Sequence, residues 1–252
     1  MTLVEQLQHT ARPGKILSVQ IGLFWTGVLA ETDDGLFCGL AATLRDSEFG
    51  PERKPVVNAA GHLHQLSSQE LVALALSSSC TEVSLGLAAI NALLPKDPSQ
   101  WVELNAEDYI AQHGFGKNVA MVGHFPFIQR LKPHVKQLWV LELNPRDEDL
   151  PAEMAPEVIP QADLVAITAT TLINHTFDGL MALCRPETKV MLLGPSTPLS
   201  PLLYGAGIDV LSGTVVDNPH LVFQAIGQGI TFGQHVQLCA VRLVTMKKPA
   251  AQ

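Results

Sequence analysis

The amino-acid sequence predicts an α/β protein in two parts, an N-terminal α+β unit followed by a doubly wound parallel sheet. Three observations carry this. From Asn118 onward, five short apolar runs recur about 20 to 26 residues apart with helical stretches between them. That is the rhythm of βαβ units whose strands are covered on both faces. Before residue 113 the pattern is a β-meander followed by helices, with a hairpin signal at residues 31–35. Finally, 47% apolar against 16% charged residues over 252 positions suffices for one or two real cores, and excludes a disordered chain or a coiled coil.

Taken in order, residues 3–11 predict a short helix with Leu3, Val4 and Leu7 on one face. Residues 15–23, 24–30 and 36–40 are β-type, and Gly35 after Asp33-Asp34 accepts the positive φ that a tight hairpin demands. A polar, Pro-containing connection over 45–66 leads to Ser67-Ser68-Gln69-Glu70. This is a capping box: the Ser67 hydroxyl serves the Glu70 amide and Glu70 reaches back. It opens a helix over 71–77, and a second helix over 82–94 stops at Pro95. The change of rhythm divides the chain into 1–112 and 113–252, with residues 112–116 as the hinge. Beyond it, residues 119–123, 138–143, 164–168, 190–194 and 208–212 are expected as parallel strands and 236–245 as an edge strand.

Composition narrows the partners. With 16 basic against 24 acidic residues the net charge is −8 and there is no basic block, so nucleic acid is not expected. No apolar stretch reaches the 18 or so residues of a membrane span, and the polar start with Glu5 has no leader core. The expectation is a cytoplasmic protein without a membrane partner. Cys38, Cys80, Cys184 and Cys239 are scattered through apolar stretches with no CxxC pair, which reads as buried thiols. The apolar composition and the edge strand make a homodimer reasonable.

In a doubly wound sheet, ligands collect beyond the carboxyl ends of the strands. The first such end is Gly123-His124-Phe125-Pro126; it is not GxGxxG, so the NAD(P) fingerprint is absent. Glu142 lies nineteen positions after Gly123, where an acidic residue often holds a ribose, although a solvated loop acid reads equally well. The third end offers Thr168, Thr170 and Thr171 and then Asn174-His175-Thr176. Hydroxyls and an amide at a helix opening suit a polar or anionic ligand, whereas capping needs only one of them. The fourth, Gly194-Pro195-Ser196-Thr197-Pro198, is a sharp turn presenting two hydroxyls without a GxSxG elbow. Asp217, before Asn218-Pro219, is a cap, a ligand group or a base. His62-Leu63-His64 is half a metal site. His124 and His175 fall at predicted element ends on the ligand side.

These loops carry a resemblance. Residues 122–127 (Val-Gly-His-Phe-Pro-Phe), 142–145 (Glu-Leu-Asn-Pro), Ala162-Asp163, 167–176 and above all 193–199 (Leu-Gly-Pro-Ser-Thr-Pro-Leu) are similar to the heavy-metal chelation family, a domain of unknown function. Residues 22–26 and 88–92 resemble its first domain. The resemblance implies an enolase N-terminal-like domain before a Rossmann-like one, with a site in the interdomain cleft. It carries over Gly123, His124, Glu142, Asn174, Thr176, Gly194, Ser196 and Thr197, and no catalytic base; His175 stands where a small residue is more common. The expected function is binding of a small polar ligand or metal chelate, with a transition metal as candidate cofactor. Hydroxyl, amide and backbone N–H groups would fix the ligand's oxygens, and His124 and Glu142 would ligate metal or move a proton. The alternative is a Rossmann-like transferase or lyase using a nucleotide-type cofactor, for example in making a chelating small molecule, with Glu142 on the ribose. A third reading is an accessory subunit with a vestigial cleft.

Overall fold

A computed structural model describes residues 1–45 and 56–249. Of the connection expected over 45–66, residues 46–55 lie outside the described residues. Helix α1 (Leu3–Thr10) starts at Thr2, which exchanges hydrogen bonds with Glu5 and so satisfies two end amides. Strands β1 (Lys15–Ile21), β2 (Trp25–Thr32) and β3 (Gly35–Ala42) form the antiparallel meander, with Thr32 opposite Gly35 at the hairpin and Gly35 at φ 129°.

Helix α2 (Ser68–Ala73) carries the Ser67–Glu70 capping box but ends sooner than expected. Residues 74–76 tighten into a 3₁₀ turn, which brings the backbone at Ala75 against Gly86 of α3 (Cys80–Leu93). Helix α3 lies on the meander at Gly39. A Cβ there would stand 2.0 Å from the Ala88 carbonyl oxygen, so only glycine allows so close an approach. Helix α4 (Ala106–His113), opened by Asn105, has no counterpart in the sequence reading; its Tyr109 and Ile110 are buried under the large sheet.

That sheet has seven strands in the order β10-β9-β8-β7-β4-β5-β6. They are β4 (Asn118–Val122), β5 (Gln137–Glu142), β6 (Leu150–Pro151), β7 (Leu164–Thr168), β8 (Lys189–Leu193), β9 (Val210–Val216) and β10 (Val241–Lys247). All pair in parallel except β10, antiparallel to β9. Between them run short helices: α5 (Ile128–Leu131), α6 (Ala155–Val158), α7 (Phe177–Met181), α8 (Pro219–Gly227) and α9 (Phe232–Gln237). Successive residues of the central strands serve opposite faces: Ala120, Val165 and Ile167 join one cluster, Val119, Met121 and Ala166 the other. This is why the runs are continuously apolar.

Two strand assignments change. The segment 236–245 is not one strand, because a Thr231–Gln234 capping box carries a helix through Gln237 and Cys239 turns the chain at φ 52° before β10. The run 208–212 understates β9, which continues to Val216 because β10 pairs with it from Val210 to Val216; Ser212, Gly213 and Thr214 are strand and not loop. Of the cysteines Cys38 is buried, Cys80 and Cys184 are half-buried, and Cys239 is exposed at its turn.

The two units share their cores. One apolar cluster runs from Leu7, Val28 and Ile90 into Val165, Ile167 and Leu192 of the large sheet. Another joins Leu29, Cys38 and Leu40 of the meander to Val222 and Ile226 of α8 and Val241 of β10. The meander is thus covered by α3 from its own unit and α8 from the other.

Candidate functional site

The chain leaves β4 toward β5 and β6, then crosses back to β7 on the other side of β4. This reversal opens a crevice at the carboxyl ends of β4 and β7. A cavity of about 550 Å³ lies there, lined by Gly123, His124, Glu142, Thr168, Asn174 and Thr176 among others. Gly123, His124, Glu142, Thr168, Asn174 and Thr176, and with them Thr170, Thr171 and His175, therefore line one cavity.

Gly123 turns the chain out of β4 at φ 107°, where a Cβ would press on Thr168 at 3.1 Å. The turn aims the next amide, and a second amide comes from the end of β5. His124 N–H donates to Glu142 Oε1 at 2.7 Å and Leu143 N–H to Oε2 at 3.0 Å. Glu142 thus uses both oxygens to fasten the loops after β4 and β5. His124 Nδ1 lies 2.8 Å from Asp149 Oδ2 and 3.1 Å from Oδ1. The Asp149 side chain is 5% exposed, and Oδ2 also accepts from the Arg146 amide. A carboxylate only accepts, so Nδ1 carries the proton and Nε2 keeps its lone pair in the neutral ring. Nε2 has no partner among the described residues, and the ring is part-exposed in the cavity wall. Asp149 is a candidate positioning residue that sequence reasoning missed. It lies 25 positions from His124 in an acidic loop, and only the short pairing of β5 with β6 brings it back.

The hydroxyls after β7 partly serve one another. Thr168 Oγ1 lies 3.0 Å from Thr170 Oγ1, and Thr171 donates to the Thr168 carbonyl. Asn174 Oδ1 accepts from the Thr176 hydroxyl at 2.7 Å, while its Nδ2 has no partner among the described residues. His175 sits at φ 59°, a left-handed conformation, with Nε2 3.2 Å from the Ser77 carbonyl oxygen. It ties this loop to the N-terminal unit. Leu141, Leu143, Ala155 and Leu180 supply apolar wall.

The other four candidates lie elsewhere. Gly194, at φ 110°, borders a separate cavity of about 260 Å³ beside Phe125 and Phe127. Ser196 is 2% exposed and accepts from the Ala42 amide at 2.8 Å, pinning β3. Thr197 is buried beside it, its hydroxyl without a partner among the described residues. Asp217 is held by Arg242 at 2.8 Å. Residues 63–65 form a 3₁₀ turn, so His62 and His64 are not arranged as on a strand. Among the described residues no three His, Cys, Asp or Glu side chains are grouped to hold a metal ion. No helix among them is long and apolar enough to cross a membrane.

Two family models match the chain, DUF4213 over residues 4–94 and DUF364 over residues 105–245, both described as "Putative heavy-metal chelation". An uncharacterized protein of Methanocaldococcus jannaschii is 28% identical over 217 residues, 80% of this chain and 79% of that one. The crystal structure of a DUF364-family protein of unknown function from Desulfitobacterium hafniense is 25% identical, covers 98% of both chains and superposes with a TM-score of 0.83. One from Pyrococcus horikoshii, 21% identical over 97% of both, has the same fold at a TM-score of 0.81. Matched in order along both units and in fold from end to end, the chain belongs to the DUF364 family.

Proposed function

We propose that the protein binds a small organic ligand with oxygen or nitrogen donors at the ends of β4, β5 and β7. Heavy metal is then cargo, entering already chelated by that ligand. The observation that carries the reading is His124, its Nδ1 held by Asp149 and its Nε2 unpartnered in the cavity wall. An imidazole so held is a well-oriented donor. One imidazole does not hold a metal, so the rest of the coordination comes from the ligand. A cavity of about 550 Å³ suits such a molecule. Asn174 Nδ2 is placed to donate to its oxygens, and the leucines to cover its apolar body.

The transferase or lyase reading draws on the same pair, because an imidazole backed by a carboxylate is also a general base. Its nucleotide form has less support, since both Glu142 oxygens already accept amides. The test is a thermal-shift series on chelator-stripped protein with Co²⁺ alone, citrate or dipicolinate alone, and each Co²⁺ complex. A complex is expected to raise Tm above either component, and His124→Ala to remove the difference. No response to either complex, or one undiminished in His124→Ala, overturns the reading. Stabilisation by S-adenosylmethionine or ATP with no response to the complexes favours the enzyme.

A further inference from the structure

A second cavity, of about 500 Å³, lies between the meander and the large sheet, away from His124. Its walls come from β3, the end of α3 and the segment after it, and β9. Three charged side chains line it: Asp34, Asp217 and Lys96. Asp34 is paired with Arg12 and Asp217 with Arg242. Lys96 has no ion-pair partner among the described residues. Its ammonium donates to the Asn91 carbonyl at 2.5 Å and stands 5.9 Å from the centre of the Phe37 ring. An ammonium has three donors, so two N–H groups are left over.

A half-buried cation with no counter-ion among the described residues is costly to keep. Burial pulls Lys96 down to about 8, with Arg12 adding to the fall and Cys38 opposing it. The groups around it are therefore Cys38, whose thiol burial pushes up to about 12, the Arg12–Asp34 pair, and the Asp217–Arg242 pair across the cavity. None of them neutralises it. Two polar atoms of residues on the same walls, Asn91 Oδ1 and Thr214 Oγ1, are buried with no hydrogen-bond partner among the described residues. Asn91 spends its Nδ2 on the Leu40 and Ser196 carbonyls, and this holds its amide oxygen in place. Natively folded proteins seldom leave two such atoms beside a spare ammonium around one cavity without something to bind them.

We propose that this cavity is a second binding site, for a small monocarboxylate with a flat apolar body, its carboxylate on Lys96 and a hydroxyl or amine on Asn91 and Thr214. The charge count selects a monoanion. One ammonium matches one carboxylate, whereas a phosphate dianion would face two lining aspartates and finds no second free cation among the described residues of the walls. The body is selected by the walls, where Phe37, Trp101, Leu199 and Val216 leave flat and aliphatic surface.

Benzoate and 4-hydroxybenzoate are suitable probes, with neutral benzamide and inorganic phosphate as comparisons, titrated calorimetrically into the full chain. At pH 7 benzoate is expected to bind about ten-fold or more tighter than benzamide, the worth of a charge-assisted hydrogen bond. 4-Hydroxybenzoate is expected to bind tighter still. Lys96→Met, which keeps the volume and removes the charge, is expected to abolish the preference for benzoate over benzamide. The wild-type protein gives an independent check. With Lys96 titrating near 8, raising the pH from 7 to 9 deprotonates it and weakens benzoate about ten-fold while benzamide is unchanged. Failure of benzoate to bind, equal affinity for benzamide, tighter binding of phosphate, or an unaltered preference in Lys96→Met each overturns the proposal.

Discussion

At the scale of single residues, the functional reading turns on which polar atoms are already satisfied. Glu142 and Ser196 look like available ligand groups in the sequence, yet each is consumed by backbone amides. His124 retains a free nitrogen because Asp149 fixes the other one. Orienting partners of this kind change metal affinity by about ten- to a hundred-fold. Asp149→Ala is therefore expected to weaken the Co²⁺ complex by about that factor with Tm of the ligand-free protein little changed; equal affinity in a direct titration would assign Asp149 to loop structure alone. The histidine was legible at its strand end. Its partner was not, because no local rule joins residue 124 to residue 149.

At the scale of elements, apolar runs located the parallel strands well, since a strand covered on both faces has no solvent side to interrupt it. The helices were less legible. Helices α5, α6 and α7 have only four or five residues, too few for a helical period to be read, and the run 236–245 took in the last two residues of α9, Val236 and Gln237, with the turn before β10. The closest approach between elements was also hidden, for Gly39 reads only as a small residue in a strand. Replacing it with alanine drives a Cβ into the α3 backbone at 2.0 Å from the Ala88 oxygen. A rigid helix backbone cannot give way as a side chain can, so Gly39→Ala is expected to cost about 3 kcal/mol or more. A urea midpoint within experimental error of the parent would refute the tight packing of α3 on β3.

At the scale of the whole molecule, the two units are joined by shared polar and apolar contacts. Asn91 in α3 holds the Leu40 carbonyl of β3 and the Ser196 carbonyl of the loop after β8, and Ser196 in turn holds the Ala42 amide. Asn91→Ala leaves two carbonyls unpaired at this junction and is expected to destabilise the protein by about 1–3 kcal/mol. Hydrogen exchange is expected to accelerate at the Ala42 amide more than at Met121 in the centre of the large sheet. Uniform acceleration would mean that Asn91 supports global stability and not the junction.

By itself, the sequence determined the fold class, the parallel strands β4, β5, β7, β8 and β9, the capping box at Ser67 and the group of loops whose candidate residues line one cavity. These are local properties of periodicity, turn chemistry and position at a strand end. Only the tertiary structure decided how the strands order in space, with β4 at the reversal, and which hydroxyls and carboxylates stay available to a ligand. It also placed Lys96 between two units with no counter-ion among the described residues. Sequence spacing carries no such information, because a polar group's availability depends on partners folded beside it from anywhere in the chain.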